Sequence, residues 1–316
     1  MATDSYRSCA KPYNGRKRIV ETVQWGIIGC GDVTEMKSGP ALQKIDHSEL
    51  VAVMRRDGNR ARDYAKRHGV PHAYSDAEKL INHPDVNAIY IATPPDTHAE
   101  CLRMIEACRK EQVPLFVAYY RRALPYFLQV KALLDDNAIG TVHAVRICLY
   151  QQPMAVDQAN PPWRVVRSIS GGGLFFDLAS HQLDLLEFLF GPIEKAYGTA
   201  ASRLSSYDAE DTVSASFQFS SGTIGSGSWC FCASERHDRI ELIGEKGQID
   251  FSTFSFAPIT LHNRTQQHFD IAPPPHVQQP LIKTVVSALR NEGRCPSTGQ
   301  SAARTNYVME QIVYGR

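Results

Sequence analysis

The sequence predicts an α/β chain in two parts: an N-terminal doubly wound parallel sheet, and a C-terminal α+β part with a large open, mainly antiparallel sheet. Three observations carry this. An apolar run, Val23 to Ile28, stops in the glycine turn Gly29-Cys30-Gly31. Strand and helix patterns alternate from there to about residue 122. Strand-like runs joined by short turns then crowd the stretch from Asp211 to Phe254, which is the density of an antiparallel sheet.

Residues 1–22 are polar, with Lys17 and Arg18 in a small basic cluster, and are expected to be a disordered extension, a cleaved transit peptide being the alternative. From Val23, a buried β-branched strand meets a tight turn into a helix. Gly29 permits the turn and Gly31 lets the backbone approach a pyrophosphate. The N–H groups opening the helix, at Asp32 and Val33, face the negative charge. Thr34 stands where the third glycine of that fingerprint would be. A helix to about Lys44 and a strand Glu49 to Met54 complete the βαβ unit of a Rossmann dinucleotide site. After that strand an acidic residue would hold the ribose of NAD. Arg55, Arg56 and Arg60 stand there instead and suit a 2′-phosphate, so NADP is expected before NAD; a solvated basic loop is the alternative reading. The next strand, Asn87 to Thr93, halts at Pro94-Pro95 and puts Thr93, Pro94 and Pro95 at the ligand-binding end of the sheet, with His98 in the following helix. Pro114 to Tyr119 reads as a further strand whose tip is Tyr120-Arg121-Arg122.

The first domain is thus 23–122 and the second 123–316. The second opens with a helix from Pro125 and a strand from Thr141 to Tyr150. Its later strands carry Phe217, Phe219, Ile224 and Trp229, from which a sheet face covered by another copy of the chain, a homo-oligomer, is expected. Helices from Pro280 and from about Ser301 close the chain.

Composition narrows the partners. Of 316 residues 43% are hydrophobic and 21% charged, and the formal charge of +1 has no long runs, so a small molecule is expected rather than nucleic acid. No apolar run approaches the roughly 20 residues of a membrane span. Eight scattered cysteines without a C-x-x-C pair suit reduced thiols in a cytoplasm.

The second informative stretch is Gly171-Gly172-Gly173 followed by an apolar helix to Phe190. Asp177, His181 and Asp184 lie on one stripe of it at i, i+4 and i+7. Buried ionisable groups are costly unless paired or in use. An imidazole beside a carboxylate titrates near neutrality and suits a general base that takes a hydroxyl proton as hydride leaves the same carbon. The glycines would let the backbone pass close to a ligand. An internal Asp–His hydrogen bond and a metal site are the competing readings, and no ligand spacing supports the metal.

Gly26-Ile27-Ile28-Gly29-Cys30-Gly31-Asp32, Ala92 to His98, Tyr119 to Arg122, Pro162-Trp163-Arg164 and the Gly171-Gly172-Gly173 … Asp177-x-x-x-His181 helix resemble the glucose-fructose oxidoreductase / inositol dehydrogenase / MocA family from Val23 onward. The resemblance implies an NAD(P)-dependent sugar or polyol dehydrogenase. In it His181 would exchange the proton and Asp177 would bind substrate and tune it. Tyr120, Arg121, Trp163, Arg164 and Asp184 would border the substrate. The family also carries Glu-Lys-Pro, with a catalytic lysine, on a strand absent here: Thr97-His98-Ala99-Glu100 runs straight into Cys101. About 25–30 residues, one βα unit, are missing. Pro114 to Tyr119 is expected to fill the vacant place beside Ile89 to Thr93, with Arg121 or Arg122 near the empty lysine position. Impaired turnover follows, and a catalytically silent dinucleotide or sugar sensor is the alternative, a metal-dependent hydrolase the last.

Overall fold

The computed structural model describes residues 20–92, 98–155, 159, 161–167, 172–203 and 207–315, with side chains of the helix at 98 described from Cys101. The N-terminal sheet has the order β3-β2-β1-β4, all parallel. Its strands are β1 (Val23–Ile28), β2 (Ser48–Met54), β3 (His72–Tyr74) and β4 (Ala88–Ile91). Val23, Trp25 and Ile27 point to one face, where α1 (Gly39–Gln43) and α2 (Gly58–His68) cover them. The opposite face, with Ala52 and Met54, packs against Leu80 of α3 (Ala77–Ile81). Helices on both faces are what a doubly wound parallel sheet needs to bury its backbone.

That first core is completed by the far end of the chain. Leu281, Ile282, Val285 and Val286 of α7 (Gln279–Leu289) pack with Val23, Ile27 and Val53. The C-terminal segment therefore returns to the N-terminal layer.

The stretch before residue 120 departs from expectation. Pro114 to Tyr119 forms no strand: Phe116 makes an isolated antiparallel bridge to Thr298, Gly299 N donates to Leu115 O at 3.0 Å and Ser297 Oγ to Val117 O at 2.7 Å. The segment's backbone groups are spent on the C-terminal chain, so it cannot sit beside β4. Among the described residues nothing pairs with the outer edge of β4, and Ile91 is 51% exposed there. The helix α4 (His98–Lys110) lies against α8 (Gly299–Tyr314), with Asn306 Nδ2 3.1 Å from Cys101 Sγ.

A 3₁₀ turn, Tyr120–Ala123, leads to α5 (Pro125–Asp135) and the second part. Its eight-stranded sheet has the order β12-β11-β10-β9-β5-β8-β7-β6, antiparallel apart from the central pair β5 and β8. In chain order the strands are β5 (Val142–Tyr150), β6 (Ile193–Ala201), β7 (Thr212–Phe219), β8 (Ile224–Cys230), β9 (His237–Gly244), β10 (Gln248–Phe251), β11 (Ile259–His262) and β12 (Gln266–Phe269). Alternation along these strands sends Val145, Ile147, Phe217, Phe219, Trp229 and Ile240 into one core with α5, α6 (Leu174–Phe190) and α8. The aromatic residues expected to meet another copy are therefore buried by the chain's own helices. Of the four, Ile224 alone is exposed, beside Ser214, Ser216 and Ser226 on the outer face.

Gly172 and Gly173 before α6 serve packing rather than ligand approach. A Cβ on Gly173 would stand 2.5 Å from Glu210 O and 3.0 Å from Ala209 Cβ, and one on Gly172 would run into the Phe176 ring. The closeness lets the buried Glu210 carboxylate accept from Gly173 N at 2.8 Å, a negative charge at the positive end of α6. Gly173→Ala is expected to destabilise the fold by about 1–3 kcal/mol, read as a lower midpoint in urea denaturation.

Candidate active site

The glycine turn is closed by the residue that breaks the fingerprint. Thr34, fully buried, accepts at Oγ1 from Gly31 N (3.0 Å) and donates to Gly31 O (2.7 Å), so a hydroxyl staples the turn. Gly29 has φ 89°, in the left-handed region that favours glycine. A Cβ on Gly31 would meet nothing nearer than Gly29 O at 3.9 Å, so the outer side of the turn is open to a ligand. Asp32 and Val33 open the helix, where N–H groups have no intrahelical partner. The helix then widens into a π turn at Thr34–Ser38. Tyr64 Oη takes Thr34 O at 2.9 Å, and Glu35 is held by Arg67 and His68 of α2, which bring its carboxyl down to about 2. This turn fits a dinucleotide pyrophosphate.

Behind it, Arg55 Nη1 donates to Cys30 O at 3.3 Å, and Arg56 is exposed. Asp57, the nearest acid, is spent as the N-cap of α2, accepting from Asn59 N and Arg60 N, and Arg60 pairs loosely with it at 3.4 Å. Among the described residues the acid nearest the end of β2 is thus engaged as a helix cap. Thr93, Pro94 and Pro95 lie outside the described residues, as does the His98 side chain.

The second half of the site surrounds His181 on α6. Tyr119 and Tyr120 meet its ring edge-on, each at 5.6 Å between centroids, and Phe254 stands at 6.5 Å. Its Nδ1 is buried and has no hydrogen-bond partner among the described residues. Asp177, one turn earlier, does not bond the ring: its carboxylate accepts from Arg164 Nε at 2.8 Å, and the Arg164 guanidinium lies over Trp163 at 4.6 Å. The expected Asp–His couple is therefore replaced by an Arg164–Asp177 pair. The imidazole does not titrate near neutrality. Burial, then the charges of Arg121 and Lys37, push its pKa well below the ordinary histidine value. The ring is neutral at pH 7 and holds a lone pair.

The two arginines after Tyr120 part ways. Arg122 makes a bidentate pair with Asp184, Nη2 to Oδ1 at 2.7 Å and Nε to Oδ2 at 2.8 Å, with both side chains buried. Asp184 is thereby withdrawn from substrate. Arg121, 3% exposed, donates Nε to Thr253 O at 3.1 Å and stacks between the rings of Tyr120 (4.8 Å) and Phe254 (4.6 Å). Its Nη1 is buried and unpartnered among the described residues, and burial lowers its pKa. Sequence reasoning missed Lys37, Tyr119 and Phe254. Lys37 is six residues beyond Gly31, on the helix that opens the cofactor turn, which is the one signal that would have pointed to it.

Residues 23–119 match the oxidoreductase family with an NAD-binding Rossmann fold, and residues 127–250 match the GFO/IDH/MocA C-terminal domain. The chain belongs to the GFO/IDH/MocA oxidoreductases. Oxidoreductase P35 of Formosa agariphila is 36% identical, over 91% of this chain and 97% of its own. Myo-inositol 2-dehydrogenase of Thermotoga maritima is 27% identical over 71% and 73%. Among solved structures, the WlbA dehydrogenase from Bordetella pertussis, in complex with NADH and UDP-GlcNAcA, superposes with a TM-score of 0.78 at 20% identity, covering 92% of this chain and 95% of that one. The two sequence alignments run over 316 and 254 positions, longer than the covered parts of this chain by about 28 and about 30, the size of one βα unit.

The neutral His181 makes a prediction for stability. Its folded pKa is depressed, so its contribution is complete above the unfolded value of about 6.5 and is lost as pH falls from there toward the folded value, because the unfolded chain takes the proton first. The slope is at most about 1.4 kcal/mol per pH unit for one group. Urea denaturation at pH 7.5 and 5.5 should show a larger difference for the natural protein than for His181→Asn.

Proposed function

We propose that the protein transfers hydride between a nicotinamide cofactor, NADP before NAD, and a carbinol carbon of a sugar or polyol. The observation that carries the reading is the neutral His181 ring, with a buried unpaired nitrogen, walled by Tyr119, Tyr120 and Phe254 on a helix of the GFO/IDH/MocA type. Gly31, Asp32 and Val33 hold the pyrophosphate, and Arg55, Arg56 and Arg60 read a 2′-phosphate. Thr93, Pro94, Pro95 and His98 are proposed at the cofactor's other end. The bound nicotinamide supplies the hydride acceptor or donor. His181 takes the hydroxyl proton in oxidation and returns it in reduction, and the cations of Arg121 and Lys37 favour the alkoxide character that develops on the substrate oxygen. Asp177, with Arg164, and Trp163 and Tyr120 orient the hydroxyls.

The family's Glu-Lys-Pro lysine has no counterpart in this sequence, and the surplus alignment positions together with the open edge of β4 support the loss of a whole βα unit. Arg121 does not serve as a proton shuttle, because guanidinium stays protonated. Turnover is therefore proposed to be slow, and the same observations favour the second reading, a catalytically silent NAD(P)-binding sensor. The outer sheet face around Ser214, Ser216, Ser226 and Ile224 is proposed as the contact between copies in a cytoplasmic homo-oligomer. His181→Asn should leave NADPH affinity unchanged and lower the rate of NADP-linked sugar oxidation by at least about 100-fold. Full activity in that variant, measured across a sugar and polyol panel, removes His181 from the chemistry.

A further inference from the structure

The opposite edge of the N-terminal sheet carries a cluster that the hydride chemistry does not use. His72 lies on the edge strand β3, and His83 and Asp85 lie on the turn between α3 and β4. One ligand atom from each of the three falls within 4.8 Å of the others. The two imidazole rings stand 4.4 Å apart between centroids, and Tyr74, on the same strand face as His72, closes the other side of His83 at 6.0 Å. The turn is fixed by its own backbone: His83 N donates to Leu80 O at 3.1 Å and Val86 N to His83 O at 3.0 Å, with Pro84 between the two ligands. The His72 ring makes no hydrogen bond among the described residues.

We propose that His72, His83 and Asp85 bind a divalent transition metal at the surface of the N-terminal domain. Two imidazoles and one carboxylate select zinc, cobalt, nickel or copper over magnesium and calcium, which prefer all-oxygen shells. Metal–ligand bonds of about 2.0–2.2 Å in tetrahedral geometry put ligand atoms about 3.4 Å apart. Side-chain rotations of the exposed Asp85 and of the two rings close the remaining distance. Asp85 N donates to His83 Nδ1 at 3.2 Å, so ligation through that nitrogen gives up one weak hydrogen bond, and ligation through Nε2 moves the ring proton to Nδ1 and gives up the same bond. Three protein ligands leave a position for water. The ion would tie β3 to the turn that feeds β4, across α3. Spacing in the sequence hides the site, since ten residues lie between the histidines and no short ligand motif links them.

The test is calorimetric titration of the full chain, without a histidine tag, with CoCl2, ZnCl2 and MgCl2, together with visible absorption of the cobalt form. One equivalent of cobalt and of zinc should bind and magnesium should not, with cobalt bands of nitrogen and oxygen coordination. The double variant H72A/H83A should bind at least about 100-fold more weakly, since even outer-shell changes cost about 10–100-fold, while its metal-free melting temperature matches that of the natural protein. No saturable uptake overturns the proposal. So does equal uptake by the double variant, or a thiolate-to-cobalt charge-transfer band, which would assign the metal to cysteine.

Discussion

The buried ion pair between Arg122 and Asp184 is the joint on which the site depends. Arg122 lies on the 3₁₀ turn Tyr120–Ala123 and Asp184 lies in the middle of α6, so the pair fixes that turn against the helix that carries His181. Taking two charges out of water is expensive. The bidentate geometry and the further bonds from Arg122 to Asp184 O and Pro296 O compensate it, while loss of one partner would cost about 3–5 kcal/mol. Tyr119 and Tyr120 reach the imidazole because this joint holds them there.

A second consequence is electrostatic. Arg122 and Arg164 pair with Asp184 and Asp177, and the charges that act on the buried His181 ring are those of Arg121 and Lys37, which lower its pKa further after burial. A neutral imidazole has the lone pair that a proton acceptor needs, while the cations beside it oppose the imidazolium that would result. The turn at Gly29 to Gly31 shows the same economy, since Thr34 replaces a glycine by supplying a hydroxyl that bonds both ends of Gly31.

Much of this was legible in the chain. Val23 to Thr34, the strand Ala88–Ile91 and the hairpins from Thr212 to Phe251 form where period and turn residues put them. Four features were not legible, each for a physical reason. Asp177, His181 and Asp184 share a stripe, but helical spacing says nothing of the arginines that arrive from residues 122 and 164 to claim the acids. The glycines before α6 read as a ligand approach, yet what passes close is Glu210, thirty-seven residues away in sequence. Leu115 to Tyr119 has a strand's composition, but its hydrogen bonds go to Ser297 and Gly299, a tertiary choice no local pattern records. The return of α7 to the first core was hidden likewise, because an amphipathic helix does not name the sheet it covers.

A sheet in which no described residue pairs with the outer edge of β4 is proposed still to present a working dinucleotide turn. Titration of the purified protein with NADPH and NADH, followed by nicotinamide fluorescence, tests it directly. Saturable binding with NADPH preferred is the expected result under the proposal that Arg55, Arg56 and Arg60 read a 2′-phosphate. Failure to bind either nucleotide would contradict the account.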